Sequence, residues 1–153
     1  MRGEELHYFK RIHINVAIDT ERGLLTPVIR DADEKDPSSV NAEIEYLARR
    51  GREGALSVEE MQGGTFTVTN SGVLGSLLFT PVINYPQGAT LGMGKVEVRP
   101  VIREGEIVAR PMMYLCLSYD HRFIEGATAV RFLQAVKANL EDAITCMKGE
   151  MKQ

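Results

Sequence analysis

Residues 118–133 read SYDHRFIEGATAVRFL. An apolar, strand-like run from Met112 to Tyr119 stops at Asp120, His121 and Arg122, and a helix-like pattern starts beyond Glu125 and Gly126. A histidine at such a junction can be held by the scaffold while its ring faces a cleft. Imidazole, with an unperturbed pKa of about 6.5, gains and loses a proton near neutrality, as a general base must. Arg122 stays charged and does neither. On its own the position suits a hydrogen-bonded surface histidine better than a catalytic one, so the flanking sequence has to decide.

Downstream, Ala127, Val130, Leu133, Val136, Leu140, Ile144 and Met147 recur at steps of three and four, which predicts a helix burying one long stripe. Upstream, IVARPMMYLCLSY follows a turn at Glu104-Gly105 and is predicted to pair as a hairpin with ATLGMGKVEVRPVI. TPVIN, ending at Tyr85-Pro86, reads as another strand, and so does TFTVTN (65–70), with its alternating β-branched residues. The loop SGVLGS between them has two glycines but neither GxGxxG nor GxxxxGK[ST]. A tight turn or a close backbone approach fits it better than a nucleotide phosphate.

Nearer the start, Ser57 and Glu60 have the spacing of a capping box, so SVEEM is a short helical turn ended by Gly63 and Gly64. Pro37, Ser38 and Ser39 open an amphipathic helix over VNAEIEYLARRGREG, with Val40, Ile44, Leu47 and Ala48 facing a sheet. Arg49, Arg50 and Arg52 in its last turn suit the helix dipole, a structural reading preferred to a phosphate patch. Residues 11–29 read strand, turn (Asp19 to Gly23), strand; His13 falls at a polar phase and reads as solvent-facing or cross-strand rather than catalytic.

The 153 residues fit one domain, 1–153. Charged residues at 25%, hydrophobic ones at 44% and a net charge of -3 give no electrostatic case for nucleic acid. No apolar run approaches the roughly 18 residues of a membrane span, and MRGEELHYFKR lacks the apolar centre of a signal peptide, so no membrane partner and a cytoplasmic address are expected. Cys116 and Cys146 read as buried reduced thiols. With His7, His13 and His121 scattered, no metal site is expected. The element order favours an α/β fold, a mixed sheet with helices on one face.

Three blocks then match a known family in order and approximate spacing: VAIDTERGLLTPVIRDAD, GGTFTVTNSGVLGSLLFTPVINYPQGATLGMGKVEVRP and PMMYLCLSYDHRFIEGATAVRFL. On these the chain resembles the catalytic domain of dihydrolipoamide acyltransferases, the core components of 2-oxo-acid dehydrogenase complexes. TVTNSGVLGS and PMMYLCLSYDHR are most similar to the succinyl-transferring members, although acetyl and branched-chain members share much of the pattern. The resemblance implies a two-layer, chloramphenicol acetyltransferase-like fold and trimers with active sites in channels between neighbouring subunits. It also implies coenzyme A as one substrate, a lipoyl group on a separate lipoyl domain as the other, and further complex components as partners. His121 matches the family's general base and Thr69 its oxyanion-stabilising hydroxyl. Ser71, Asn84, Asp120 and Arg122 are expected to line the substrate site.

Two departures qualify the match. The family's motif places an aspartate four residues after the histidine, where this chain has Glu125, a carboxylate one methylene longer. Misplacing a catalytic group by about 1 Å costs roughly 10²-fold in rate. The family's further N-terminal helices and strand, with the arginine partner of that acid, precede the point where Met1 falls, so an N-terminally truncated domain is expected. Two function readings follow: an acyltransferase core, and a non-catalytic trimeric scaffold or interaction protein that keeps the fold.

Overall fold

The computed structural model describes the backbone of residues 5–150 and the side chains of residues 5–143. Packing divides the chain into two compact units, Met1–Ser118 and Tyr119–Gln153.

In the first unit the expected strand-turn-strand of residues 11–29 breaks on both arms, into β1 (Ile14–Val16) and β2 (Ile18–Thr20) going out and β3 (Gly23–Leu25) and β4 (Val28–Ile29) returning. The outer halves form a hairpin in register Ile18↔Leu25, while the inner halves pair Ile14↔Ile29. Hydrogen bonding explains the break. Pro27 has no N–H to extend a ladder, its carbonyl accepts from the Val16 N–H (3.0 Å), and the Ala17 N–H turns to the Val68 carbonyl (3.0 Å).

Val68 lies on β5 (Phe66–Asn70), which pairs in parallel with β1 and with β6 (Ala89–Met93). The main sheet runs β4-β1-β5-β6-β9, ending on β9 (Leu115–Tyr119), and is mixed because β1 meets β4 antiparallel.

The amphipathic helix forms as α1 (Pro37–Arg52), one residue beyond Asp36, whose carboxylate accepts from the Ser38 and Ser39 N–H groups at 2.9 and 3.1 Å. Those bonds, with the Ser39 hydroxyl first, hold the Asp36 carboxyl below the usual range. Leu47 of α1 packs with Ile18 and Ile29 to make the core, and Val40, Ile44 and Ala48 pack against it as the helical spacing requires. Each such side chain, fully buried, contributes about 1.5–3 kcal/mol. The capping box closes both ways: the Ser57 N–H donates to Glu60 Oε2 (2.8 Å) and the Glu60 N–H to Ser57 Oγ (3.3 Å).

Three expectations need correction. The two long strands of the expected hairpin each break in the middle. Only β7 (Glu97–Arg103) and β8 (Glu106–Met112) form the hairpin, across Glu104 and Gly105, both at positive φ, while the flanking halves become β6 and β9 of the main sheet. The break comes at Gly94-Lys95, where the Lys95 N–H donates to the Ser76 carbonyl (2.8 Å) and leaves the strand direction.

TPVIN is not a strand; residues 80–84 are irregular. The terminal helix is α2 (Gly126–Glu150), but only part of its expected stripe is covered. Ala129 is buried and Leu133 and Val136 are half-buried, whereas Ala127, Val130 and Leu140 are exposed; the side chains of Ile144 and Met147 lie outside the described residues. Periodicity identifies which residues are apolar, not which of them this chain alone covers.

His13 is a scaffold residue, as its polar phase implied, and its side chain is mostly covered rather than solvent-facing. Its Nδ1 accepts the Asp31 N–H at 2.9 Å. Cys116 is a free thiol, half-buried rather than sealed, and the Cys146 side chain is outside the described residues. Among the described residues no helix is long and apolar enough to cross a membrane, and no group of three or more His, Cys, Asp or Glu is placed to hold a metal ion.

Candidate active site

Thr69 sits one residue from the end of β5, half-buried, in register with Gly92 of β6. Residues two apart on a strand share a face, so Thr69 projects to the same side as Thr67, which is 4% exposed. On that side a Cβ at Gly92 would lie 2.8 Å from the tip of the Phe79 ring. The ring therefore rests on the bare backbone beside Thr69, which is why position 92 has no side chain.

The turn after β5 is locked locally. Asn70 Oδ1 accepts the Gly72 N–H at 2.9 Å, and a Cβ at Gly72 would lie 2.3 Å from the Gly94 backbone. The close approach expected of the glycine-containing loop is thus real, and it is made to the backbone of Gly94, just past the end of β6. Ser71 lies in this turn, and its Oγ is sealed from solvent without a hydrogen-bond partner.

Asn84 is half-buried, and its carbonyl accepts the Gln87 N–H at 2.9 Å across a turn that holds the cis Tyr85-Pro86 bond. The Gln87 side chain then reaches the sheet. Its Nε2 donates to Asn15 Oδ1 (2.6 Å) and its Oε1 accepts from the Thr67 hydroxyl (2.5 Å), while Asn15 Nδ2 donates to the Thr26 carbonyl (2.5 Å). Asn15, Thr67 and Thr90 stand abreast on β1, β5 and β6, 1%, 4% and 1% exposed. Of this row only the Thr90 hydroxyl has no partner. Sequence reasoning missed Gln87, and no local pattern marks it.

The second unit carries the other expected residues in one turn. The Asp120 carbonyl accepts the Phe123 and Ile124 N–H groups at 3.3 and 3.0 Å. Its carboxylate accepts the Arg122 backbone N–H (3.0 Å) and is gripped by the Arg122 guanidinium, Nε to both oxygens at 2.9 and 3.1 Å and a terminal nitrogen to Oδ2 at 2.5 Å. These bonds hold the Asp120 carboxyl down to about 2. The two charges that flank the histidine in sequence bind each other, stapling the turn on either side of it.

His121 is exposed, with its ring 5.3 Å from that of Tyr119 at a tilt of 43°. A Cβ at Gly126 would lie 4.0 Å from His121 Nε2 and 3.5 Å from the Tyr119 hydroxyl. Both groups thus converge over the first residue of α2. Glu125 is exposed; its carbonyl accepts the Ala129 N–H (3.1 Å) to open the helix, and it forms no ion pair among the described residues. Thr69, Ser71 and Asn84 thus belong to the first unit, and Asp120, His121, Arg122 and Glu125 to the second. An accessible imidazole on a stapled turn can exchange protons with an incoming thiol, and a strand-end hydroxyl can donate to a carbonyl oxygen.

A family profile described as 2-oxoacid dehydrogenases acyltransferase (catalytic domain) matches residues 1–148. The dihydrolipoyllysine-residue succinyltransferase component of the 2-oxoglutarate dehydrogenase complex of Haemophilus influenzae is 49% identical over 140 residues, which are 92% of this chain and 34% of that protein. The chain spans about a third of the length of such curated relatives.

Among solved structures, dihydrolipoamide acetyltransferase of Azotobacter vinelandii superposes with a TM-score of 0.88 at 41% identity, over 92% of this chain and 58% of that one. Its description concerns the role of a serine, a histidine and an asparagine in the catalytic mechanism, the histidine 52 residues after the serine and the asparagine 4 residues later. A truncated catalytic core of the 2-oxoacid dehydrogenase multienzyme complex from Thermoplasma acidophilum gives 0.82 at 42% identity, over 91% of this chain and 61% of that one.

Proposed function

The chain belongs to the family of 2-oxoacid dehydrogenase acyltransferase catalytic domains, and from that membership we propose that it transfers an acyl group between a dihydrolipoyl thiol and coenzyme A. One observation carries the reading. Thr69, His121 and Glu125 are separated by 52 and 4 residues, the separations of the three residues named for the Azotobacter enzyme. A hydroxyl residue and a histidine occupy the first two places in both chains.

A free thiol with a pKa of about 8.5 is mostly protonated at neutral pH and attacks poorly. His121 takes the proton from the incoming thiol, and the thiolate adds to the thioester carbonyl. The tetrahedral oxyanion is stabilised by the Thr69 hydroxyl. As it collapses, the carbon–sulfur bond to the departing thiol breaks and the imidazolium returns the proton to that sulfur. The Asp120–Arg122 staple holds the base still while this happens.

Succinyl is the acyl group we assign, because the Haemophilus relative, 49% identical over 140 residues, is a succinyltransferase component. The 153 residues act as one acyltransferase-type domain. Coenzyme A and a lipoyl group carried on a separate domain are its substrates, the rest of a 2-oxo-acid dehydrogenase complex is its setting, and the cytoplasm is its compartment. Asn84, Asp120, Arg122 and Glu125 belong to the same site, and Ser71 lies in the turn beside it with its hydroxyl sealed from solvent.

Oligomerisation, as trimers or multiples of them, is supported by the β7–β8 hairpin. One of its faces is apolar throughout and carries Val98, Ile102 and Ile107 at 69%, 74% and 78% exposure. A two-stranded ribbon is marginal alone in water.

The test is succinyl transfer from succinyl-CoA to dihydrolipoamide by the assembled protein and by its His121→Ala variant. Loss of the base is expected to lower kcat by roughly 10²- to 10⁴-fold. Equal rates in the two proteins sink the proposal. An intact assembly in which the wild-type chain itself turns nothing over supports the scaffold instead.

A further inference from the structure

We propose that Gln87 is a positioning residue for acyl transfer, fixing how the segment that carries Asn84 lies on the sheet face that presents Thr69. The inference rests on the acyl-transfer reading and adds to it a residue outside the expected set.

The segment between β5 and β6 has the composition of a strand, yet it takes no place in any sheet. It is pinned to the face of β5 and β6 at two points. At one, the Phe79 ring sits on Gly92, the registered neighbour of Thr69. At the other, the Gln87 amide is held by Asn15 and Thr67, and Thr67 lies two residues from Thr69 on the same face.

The orientation of this amide is fixed by a backbone group. The Thr26 carbonyl can only accept, so Asn15 presents its NH₂ there and its oxygen to Gln87. Gln87 must then donate to Asn15 and accept from the Thr67 hydroxyl. Both ends of the amide are used, and a glutamate of the same length offers a donor as well as an acceptor only when it is protonated. Asn15 Oδ1 lies close over the Gly64 backbone, where a Cβ would come within 1.6 Å of it, so this position takes no side chain.

The row joins β1, β5 and the Asn84–Gln87 turn into one rigid piece. A shift of that turn moves Asn84 relative to Thr69, and displacement by about 1 Å is enough to cost up to roughly 10²-fold in rate. Gln87 touches neither substrate nor reacting atoms in this scheme and acts through the turn it anchors.

The experiment measures kcat, KM for both thiol substrates and melting temperature in the assembled protein carrying Gln87→Met, Thr67→Val or Gln87→Glu. Gln87→Met removes both bonds while keeping the length, and is expected to lower kcat about 10- to 100-fold with KM changed less than about threefold. Thr67→Val removes one bond and keeps the β-branch; a smaller loss in the same sense is expected, and this variant decides the matter if Gln87→Met fails to assemble.

Gln87→Glu supplies the readout that a purely structural role does not move. Its protonated carboxyl again donates to Asn15 and accepts from Thr67, whereas its carboxylate cannot donate. Activity relative to wild type should therefore climb as pH falls from 8 towards 5. A lowered melting temperature with kcat unchanged in Gln87→Met and Thr67→Val overturns the inference, as does a Gln87→Glu pH profile parallel to wild type. If His121→Ala is inactive while these variants are normal, only this inference fails. If His121→Ala is itself fully active, the acyl-transfer reading has failed first.

Discussion

Replacing Thr69 by valine isolates one hydroxyl from everything else on β5. Valine keeps the β-branched shape that the strand favours and fits the same half-buried place beside Gly92 and Phe79. The Thr69 hydroxyl makes no hydrogen bond to the described residues, so the substitution breaks none in the folded chain. Stability should therefore change by no more than about 0.5 kcal/mol.

The rate should respond very differently. A donor aimed at a developing oxyanion is worth about 10²–10³ in kcat, roughly 2.7–4 kcal/mol of barrier. Because the bond matters mainly in the transition state, KM should hardly move. Steady-state transfer between succinyl-CoA and dihydrolipoamide, with a thermal melt of the same preparation, measures both quantities. Thr69→Ser, which keeps a donor, should retain most of the lost activity. Thr69→Val within about threefold of wild-type kcat would refute the reasoning, and so would a loss of rate explained by a large drop in melting temperature.

Thr90→Val should stabilise the protein, because it removes a hydroxyl that is 1% exposed and unpaired; a gain of about 1 kcal/mol, or about 2–4 °C in melting temperature, is expected, and a fall counts against the orphan. Leu47→Ala, at the centre of the Ile18–Ile29–Leu47 cluster, should cost about 2–5 kcal/mol in urea unfolding, and a cost below about 1 kcal/mol would mean that this cluster is not the core. The Asp120 carboxyl is lowered from 3.8 to about 2 in the folded chain. Its stabilisation is therefore complete above the unfolded value and disappears as pH falls through the folded one. The stability difference between wild type and Asp120→Asn, followed by denaturation across pH, should be present at neutrality and vanish near pH 2. A difference independent of pH would show that the staple does not depend on the charge.

What the sequence disclosed follows from the reach of the interactions involved. The Ser57–Glu60 box and the start of α1 are chemistry between residues three or fewer apart, and both form as read, with Asp36 itself as the cap. The amphipathic face of α1 needs only one sheet to pack on, and it has one. TPVIN has the composition of a strand and forms none, because extended backbone and apolar composition do not say whether a segment joins a ladder or lies across it. That choice was made by Phe79 meeting Gly92 and by Gln87 meeting Thr67, 20 residues away, and Asn15, 72 away. At the candidate site, the histidine could be suspected from its junction alone, and Thr69 only through a family pattern. The mutual pairing of Asp120 and Arg122 was hidden, since neighbouring opposite charges look alike whether they bind each other or a substrate.

The family resemblance implies that the base and the hydroxyl of one site come from different copies of the chain, and mixed assemblies test that implication most directly. Chains carrying Thr69→Val and chains carrying His121→Ala, each nearly inactive alone, are co-assembled in equal amounts. If each site takes Thr69 from one subunit and His121 from its neighbour, random mixing makes about one site in four wild type, and about a quarter of the native activity should return. Activity no higher than that of the two parent assemblies would contradict a shared site.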